Sequence, residues 1–252
     1  MLSEHLQTAH CPQSGLQLSL ARTREEVREA QRLRYRVFVE EMGARPASRE
    51  DGIDSDIYDP WCDHLLVRDG VGGEVIGTYR MLTAARAQEV GSFYSQSEFD
   101  LVRLANIADR TVEVGRSCVH PDHRSGAVIA MLWEGLARYM QNHGAEYLMG
   151  CASISIADGG HVAASLYRRL KSDHLSPVEW RVFPRTPLPL DCLRDDLDAA
   201  VPPLIKGYLR AGAWICGEPA WDPDFNTADL LILLPMAKIN PRYARHFMKQ
   251  AR

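Results

Sequence analysis

Close cysteine pairs are missing from this chain: Cys11, Cys62, Cys118, Cys151, Cys192 and Cys216 are scattered over 252 residues with no C-x-x-C spacing. That scatter excludes a disulfide-stapled module and a zinc ribbon, and it predicts reduced thiols. No apolar run approaches the ~20 residues that cross a bilayer. The N-terminus also lacks the basic, then apolar, then small-residue order of a secretory leader, so the cytoplasm is the expected compartment. The sequence carries no Walker loop, dinucleotide fingerprint, G-x-S-x-G elbow or H-E-x-x-H pair. Nucleotide-fold, serine-hydrolase and zincin chemistry therefore find no support in it. Positive charge is not in excess, and a net charge of -4 gives no broad attraction for nucleic acid. Internal repeats and low-complexity tracts are absent as well.

What is present is the composition of an ordinary globular enzyme, 46% hydrophobic and 25% charged. Residues 1–15 read as a loose N-terminal segment and 16–252 as a single domain, with a terminal extension from about residue 240. Leu16 to Leu20 alternates like a strand. Thr23 and Glu26 form a capping box that opens a helix, whose apolar stripe of Val27, Ala30, Leu33, Val37 and Phe38 ends near Gly43. Arg45 to Asp63 is polar and reads as a loop. His64–Val67 and Glu74–Leu82 are strand candidates, and so is Thr111–His120, which Pro121 closes. A helix is expected over Gly126–His143, a strand over Glu146–Ile154, and helices over Val162–Leu170 and Pro202–Arg210. Ala213–Cys216 and Leu230–Leu234 close the pattern as a pair of strands. Strands alternate with helices in the middle and look antiparallel at the ends, which predicts a mixed α/β sheet flanked by helices.

Some elements carry charge where burial is expected. Arg34 lies on the first helix, ahead of the acidic run Glu50, Asp51, Asp54, Asp56 and Asp59, which by itself fits a solvated loop. Arg80 ends an apolar strand, where a salt bridge is the plain explanation. Glu113 and Arg116 sit inside the strand Val112–Val119, and ionised groups in such places are seldom buried unless paired. A structural Glu–Arg pair and a functional role are both consistent with that. Residues three apart on a flat strand face opposite ways, so a bulge at Gly115 is the expected device for bringing the two together. The turn from His120 to Val128 opens a helix whose free N–H groups suit phosphate, although an ordinary capped helix reads the same way. His120 and His123 fit solvated turn residues better than metal ligands, because nothing near them completes a set. Cys118 fits a small buried strand residue better than a nucleophile, since no base accompanies it.

As a set, these segments resemble the ornithine–acyl carrier protein N-acyltransferases of the wider GNAT fold. The likeness rests on Arg34-Tyr-Arg-Val-Phe38, Cys62-Asp-His-Leu-Leu-Val67, Gly77-Thr-Tyr-Arg80 and Gly91-Ser-Phe-Tyr-Ser95 with Glu98-Phe-Asp100. It continues through Glu113-Val-Gly-Arg-Ser-Cys-Val119, Gly150-Cys-Ala-Ser153, Pro202 to Arg210, and Asp224-Phe-Asn-Thr-Ala-Asp229. A more distant likeness, through Arg34, Phe38, Asp56, Asp59, Arg80, Glu113 and Arg116, is to acyl-homoserine lactone synthases. The resemblance implies a GNAT-like mixed sheet with a C-terminal extension, and transfer of a 3-hydroxyacyl chain from acyl carrier protein to the α-amine of ornithine.

Within that reading Glu113 is the expected base, acting through water, and a backbone N–H near Ser117 or Cys118 is the expected oxyanion donor. Arg80 or Arg116 would grip the amino-acid carboxylate, and Asp56 or Asp59 would take the side-chain ammonium. Arg34 and Phe38 complete the substrate set. Arg124, Gly126 and Ala127 form the expected phosphate cradle. Their loop has fewer glycines than the coenzyme A loop of GNAT enzymes, which favours acyl-phosphopantetheine on a carrier protein, with no separate cofactor and no metal. Arg168, Arg169 and Lys171 are the expected docking residues for an acidic carrier. The basic, aromatic stretch from Lys238 onward reads as a solvated terminal helix or as a peripheral contact with anionic membrane on its inner face. Glutamine, lysine or tyrosine as acceptor, and a non-catalytic acyl-carrier-binding module, are the alternatives.

Overall fold

A computed structural model describes residues 9–11, 15–45, 51–70, 73–124 and 126–239. Its strands and helices, in chain order, are β1 (Ala9–Cys11), β2 (Leu16–Leu20), α1 (Arg24–Tyr35), β3 (Asp63–Asp69), β4 (Val75–Thr83), α2 (Ala84–Val90), β5 (Phe99–Asp100), β6 (Thr111–Val119) and α3 (Gly126–Asn142). There follow β7 (Tyr147–Ser155), α4 (His161–His174), β8 (Phe183–Pro184), α5 (Pro203–Ala211), β9 (Trp214–Ile215), β10 (Ala220–Asp222) and β11 (Thr227–Pro235). The capping box at the start of α1 is formed: Thr23 Oγ1 accepts from the Glu26 N–H, and Glu26 accepts from the Thr23 N–H.

The main sheet runs β1-β2-β3-β4-β6-β7-β11-β10, with β9 also on β11. Every pairing in it is antiparallel except β6 with β7. The mixed α/β sheet expected from the sequence is therefore the observed one, and its final strands do pair, through Ile215 opposite Ile232. Corrections lie elsewhere. Residues 9–11 are not loose but pair with β2. Helix α2 and the 3-10 segment Val102–Arg110 were not foreseen. The basic stretch beyond Ile239 lies outside the described residues.

One face of the sheet carries α3, α4 and α5 over a continuous core that includes Leu65, Tyr79, Met81, Val114, Leu148, Leu230 and Ile232. On the other face the apolar packing is divided. One part lies under α1 and contains Leu33, Leu66 and Cys118; the other lies near α2 and contains Leu82, Phe99, Met149 and Leu231. Along β4, Thr78, Arg80 and Leu82 point toward this divided face, so charge occupies the gap.

β6 departs from regularity in that gap. Arg80 pairs with Gly115 and Thr78 with Cys118, so the single residue Tyr79 spans both Arg116 and Ser117. That is a β-bulge. Arg116 itself takes φ 50°, and Gly115 does not enter the left-handed region. The bulge expected at Gly115 is thus present, but its strained residue is the next one.

The registered pairing of β6 with β7 ends at Glu113 and Met149, beyond which β7 is paired only with β11. Gly150 marks the point of parting: a Cβ there would stand 2.2 Å from the Val114 carbonyl oxygen, whereas a Cβ on Gly115 would meet nothing within 4 Å. Gly150→Ala should accordingly lower stability by about 1–3 kcal/mol, while Gly115→Ala stays within about 0.5 kcal/mol. Denaturant unfolding of the two variants checks the contrast, and equal losses would contradict this account of where β6 and β7 part.

Candidate active site

The gap holds a network of ion pairs centred on Arg34, which has no exposed surface. Its Nε donates to Asp54 Oδ2 at 2.7 Å, and its Nη1 and Nη2 donate to the two oxygens of Asp59 at 2.7 and 2.9 Å. Nη2 also reaches the Asp54 carbonyl. Asp56 accepts from Arg80 Nη1 at 2.6 Å and from Arg116 Nη2 at 3.2 Å. His64, beside Asp59, has its pKa lowered by burial and stands as a neutral ring. Three arginines thus balance three aspartates. Burial opposes ionisation of Asp59, but Arg34 outweighs it and holds the carboxyl well below its usual range. Asp56 is lowered likewise by Arg80 and Arg116, against its burial.

This geometry redistributes the roles expected from sequence. Asp56 and Asp59 are engaged by arginines, so neither is placed to receive a substrate ammonium. Arg80 is occupied by Asp56 and flanked by the rings of Tyr58 and Tyr94. Arg116 is less committed. Its guanidinium lies 4.4 Å from the Phe225 ring centre and 5.0 Å from that of Tyr94, and its buried Nε has no hydrogen-bond partner. Phe38 packs edge-on against Phe225, which gives it a place in the wall of the site.

Glu113 shares a face with Arg116 because of the bulge, and Tyr94 links them. The Glu113 carboxylate accepts from the Tyr94 N–H at 2.6 Å, from the Ser95 N–H at 2.7 Å and from the Ser95 hydroxyl. Burial raises its pKa, and the Ser95 and Tyr94 donors hold that rise back. It fastens the turn at residues 94–97 to the sheet and is not paired with Arg116, so the structural Glu–Arg pair does not form. Ser117 points to the opposite face, toward the Tyr79 hydroxyl. Cys118 is buried under α1 with its thiol pushed up to about 12 by burial, a state unsuited to nucleophilic attack.

The expected phosphate cradle is exposed. Gly126 and Ala127 start α3 at the surface, and Arg124 is held by both oxygens of Glu41, at 2.7 and 2.5 Å. A bare basic docking face on α4 is not found either, because Arg168 pairs with Asp195 and Arg169 with Asp198, while Lys171 lies over the Tyr167 ring.

Sequence reasoning passed over two features. An apolar cavity of about 280 Å³ between α2 and the 3-10 segment is lined by Ala87, Phe93, Leu101, Leu104, Ala105 and Met149, next to Glu113. A second acidic cluster, Glu98 with Asp229 and Asp222, lies beside Cys151. The signal for it was Asp229 at the head of the run Leu230-Leu-Ile-Leu-Leu234, an ionisable group in a strand that is otherwise apolar.

A sequence profile described as an acetyltransferase (GNAT) domain matches residues 33–134. The chain is 39% identical over 248 residues to an L-ornithine N(alpha)-acyltransferase from Rhodobacter capsulatus, covering 93% of this chain and 95% of that one. It is 37% identical over 252 residues to the protein of the same name from Rhizobium meliloti, covering 93% and 84%. Among solved structures, FeeM, an N-acyl amino acid synthase from uncultured soil microbes, is similar with a TM-score of 0.56 at 14% identity, covering 94% of this chain and 98% of that one. The AHL synthase LasI is similar at 0.53 and 13%, covering 93% and 94%. At such identities the structural likeness speaks for the fold alone.

Breaking a buried ion pair by removing one partner typically costs about 3–5 kcal/mol. Asp59→Asn, which leaves the fully buried Arg34 with Asp54 as its one remaining carboxylate, should therefore lower Tm markedly at neutral pH. Because the folded Asp59 pKa is depressed, its stabilisation is complete above the unfolded value of ~3.9 and is lost as the pH falls toward the folded value. The Tm gap between wild type and Asp59→Asn should narrow in acid below about pH 3. A gap that is constant with pH would show that the pair contributes nothing by its charge.

Proposed function

The chain belongs to the L-ornithine N(alpha)-acyltransferase family, and from that premise we propose that it moves a (3-hydroxy)fatty acyl group from acyl carrier protein to the α-amine of ornithine, the first step of ornithine lipid synthesis. The observation that carries the reading is Arg116: a largely buried guanidinium whose Nε makes no hydrogen bond and only a long 3.4 Å ion pair with Asp54, held by the bulge at the place where β6 leaves β7. An amino-acid carboxylate is the natural complement to such a group. The apolar cavity beside Glu113 suits the near part of a fatty chain, and the parting of the strands leaves room for the thioester between them.

In this reading the neutral α-amine attacks the thioester carbon, the carbonyl oxygen takes the charge, and the C–S bond then breaks as the amide forms. A backbone N–H of the bulge, at Ser117 or Cys118, stabilises that oxygen. A carboxylate offers about four acceptor sites. Glu113 uses three of them on Tyr94 and Ser95, and the remaining one takes the amine proton through water for delivery to the departing thiol.

Glu113→Gln should then lower kcat by ~10²–10⁴, leave KM for the acyl donor nearly unchanged, and remove the acidic limb of the kcat–pH profile. If the limb persists, Glu113 serves only to clamp the 94–97 turn. Arg116→Lys should raise KM for the amino acid and spare the donor.

The donor is tested separately. The cradle at Arg124 is already neutralised by Glu41, and that arrangement supports a single phosphate on a carrier better than the pyrophosphate of coenzyme A. Acyl carrier thioester should be used with a higher kcat/KM than the same acyl group on coenzyme A, and equal values would refute the carrier assignment.

A further inference from the structure

The charge balance of the site leaves an excess of one sign in one place. The network of Arg34, Arg80 and Arg116 with Asp54, Asp56 and Asp59 closes on itself. Beyond Tyr94 lies Glu98, brought in by the turn before β5, facing Asp229 on β11 and Cys151 on β7. One ligand atom from each of these lies within 4.8 Å of the others. Asp222, on β10, adds a further carboxylate and is itself occupied by the N–H groups of Asp224 and Phe225. Among the described residues no lysine, arginine or histidine is bridged to Glu98, Asp222 or Asp229. Both oxygens of Glu98 are shut off from solvent and make no hydrogen bond of normal geometry. Leaving buried carboxylate oxygens without a donor is costly, and it marks a place shaped for one.

The cluster adjoins the reacting region. Ser95 Oγ, which donates to Glu113, stands 3.4 Å from Cys151 Sγ, and Cys151 follows Gly150, the residue at which β6 and β7 part. The Tyr94 side chain adjoins both Arg116 and Glu98. A ligand whose carboxylate meets Arg116 is therefore in the neighbourhood of Glu98, with Tyr94 common to both.

We propose that Glu98 and Asp229, backed by Asp222, receive the side-chain ammonium of a diamino-acid acceptor and set the specificity of the enzyme. This rests on the acyl-transfer reading above. It also accounts for which amine reacts. A side-chain amine of lysine type holds its proton up to about pH 10.4, some two units or more above an α-amine. Carboxylates around the side-chain group keep it charged and non-nucleophilic, and the α-amine is left as the group that can lose a proton.

Burial, followed by the facing Asp229 and Asp222, raises the Glu98 pKa well above its usual range, and Asp229 is pushed up to about 6 by burial and Asp222. A bound ammonium relieves both effects.

The test is a ratio, kcat/KM for L-ornithine over that for L-norvaline, which shares the carbon chain but lacks the terminal ammonium. Wild type should favour ornithine. Glu98→Gln and Asp229→Asn should each reduce the ratio by on the order of 10- to 100-fold, the loss expected for a charged hydrogen bond, with donor KM unchanged. Glu98→Asp should restore part of it. Mass spectrometry of the product should show Nδ-acylation appearing in Glu98→Gln. Because the ratio does not depend on the folded fraction, partial misfolding leaves it readable. Wild type that transfers acyl groups to ornithine, with a ratio that neither variant alters, would overturn the assignment and leave the function standing. Wild type that acylates no ornithine from either donor would remove the function and this inference with it. Zn²⁺ bound by wild type and lost in Glu98→Gln, with the ornithine ratio intact, would reassign the cluster to a metal.

Discussion

A guanidinium with no exposed surface is tolerable only when its donors are met and its charge is answered, and Arg34 satisfies both through Asp54 and Asp59. Those aspartates come from a polar segment with little regular structure, so the ion pairs, together with the 3-10 turn at Asp59–Trp61, fix that segment against the sheet. Once Asp56 is placed by its neighbours, it meets Arg80 and Arg116. The apolar packing on this face divides around the network, and the division is what leaves an ion-paired region inside a sheet protein. A network of this kind adds little net stability over a well-packed apolar core. Its value here is to hold charged groups in one arrangement.

The bulge in β6 is the second constraint, and it depends on the first. A non-glycine residue at positive φ is strained, and the strain persists only where the surroundings fix it. Arg116 is fixed by Asp54, Asp56, Tyr94 and Phe225, so the ion network and the backbone irregularity support each other. On the neighbouring strand β7, Gly150 allows Val114 to approach, and the registered pairing of β6 with β7 ends there. The parting of β6 from β7 therefore lies between one strained arginine and one missing side chain on neighbouring strands.

Much of this was legible in the sequence because the relevant signals are local. The capping box at Thr23 and Glu26 and the strand at Thr111–Val119 depend on neighbouring residues, and both formed as read. That Glu113 and Arg116 reach one face was legible, against their spacing, from their charge and the glycine between them. Which residue carries the irregular backbone was not, because glycine is the usual bearer and only the tertiary ion pairs make arginine the bearer here. Helix α2 escaped notice because its Ala-Ala-Arg-Ala-Gln-Glu-Val stretch is a single short amphipathic run with no apolar stripe of its own. The roles of Asp56 and Asp59 were misjudged for a related reason: a run of acidic residues looks solvated until the arginines that face it from α1, β4 and β6 are known. Glu98 and Asp229 are 131 positions apart and meet only through the sheet order β7-β11 and the turn before β5.

The two groups of charged residues on this face differ in character. The arginine–aspartate network is neutral as a whole, yet it leaves the Arg116 guanidinium beside the rings of Phe225 and Tyr94 with no hydrogen bond at its Nε. The acidic cluster has no basic side chain bridged to it among the described residues, and inside a protein, where screening is weaker than in water, a cation brought beside its carboxyls is felt strongly over a few ångströms. A molecule with a carboxylate at one end and an ammonium at the other is therefore oriented before any contact at its reactive amine is made. Orientation of that kind is a large part of what an enzyme contributes to acyl transfer, because an amine and a thioester need to be held together, freed of one proton and kept from water. The fold meets the first of these needs with charge, while the apolar cavity beside Glu113 bears on the last.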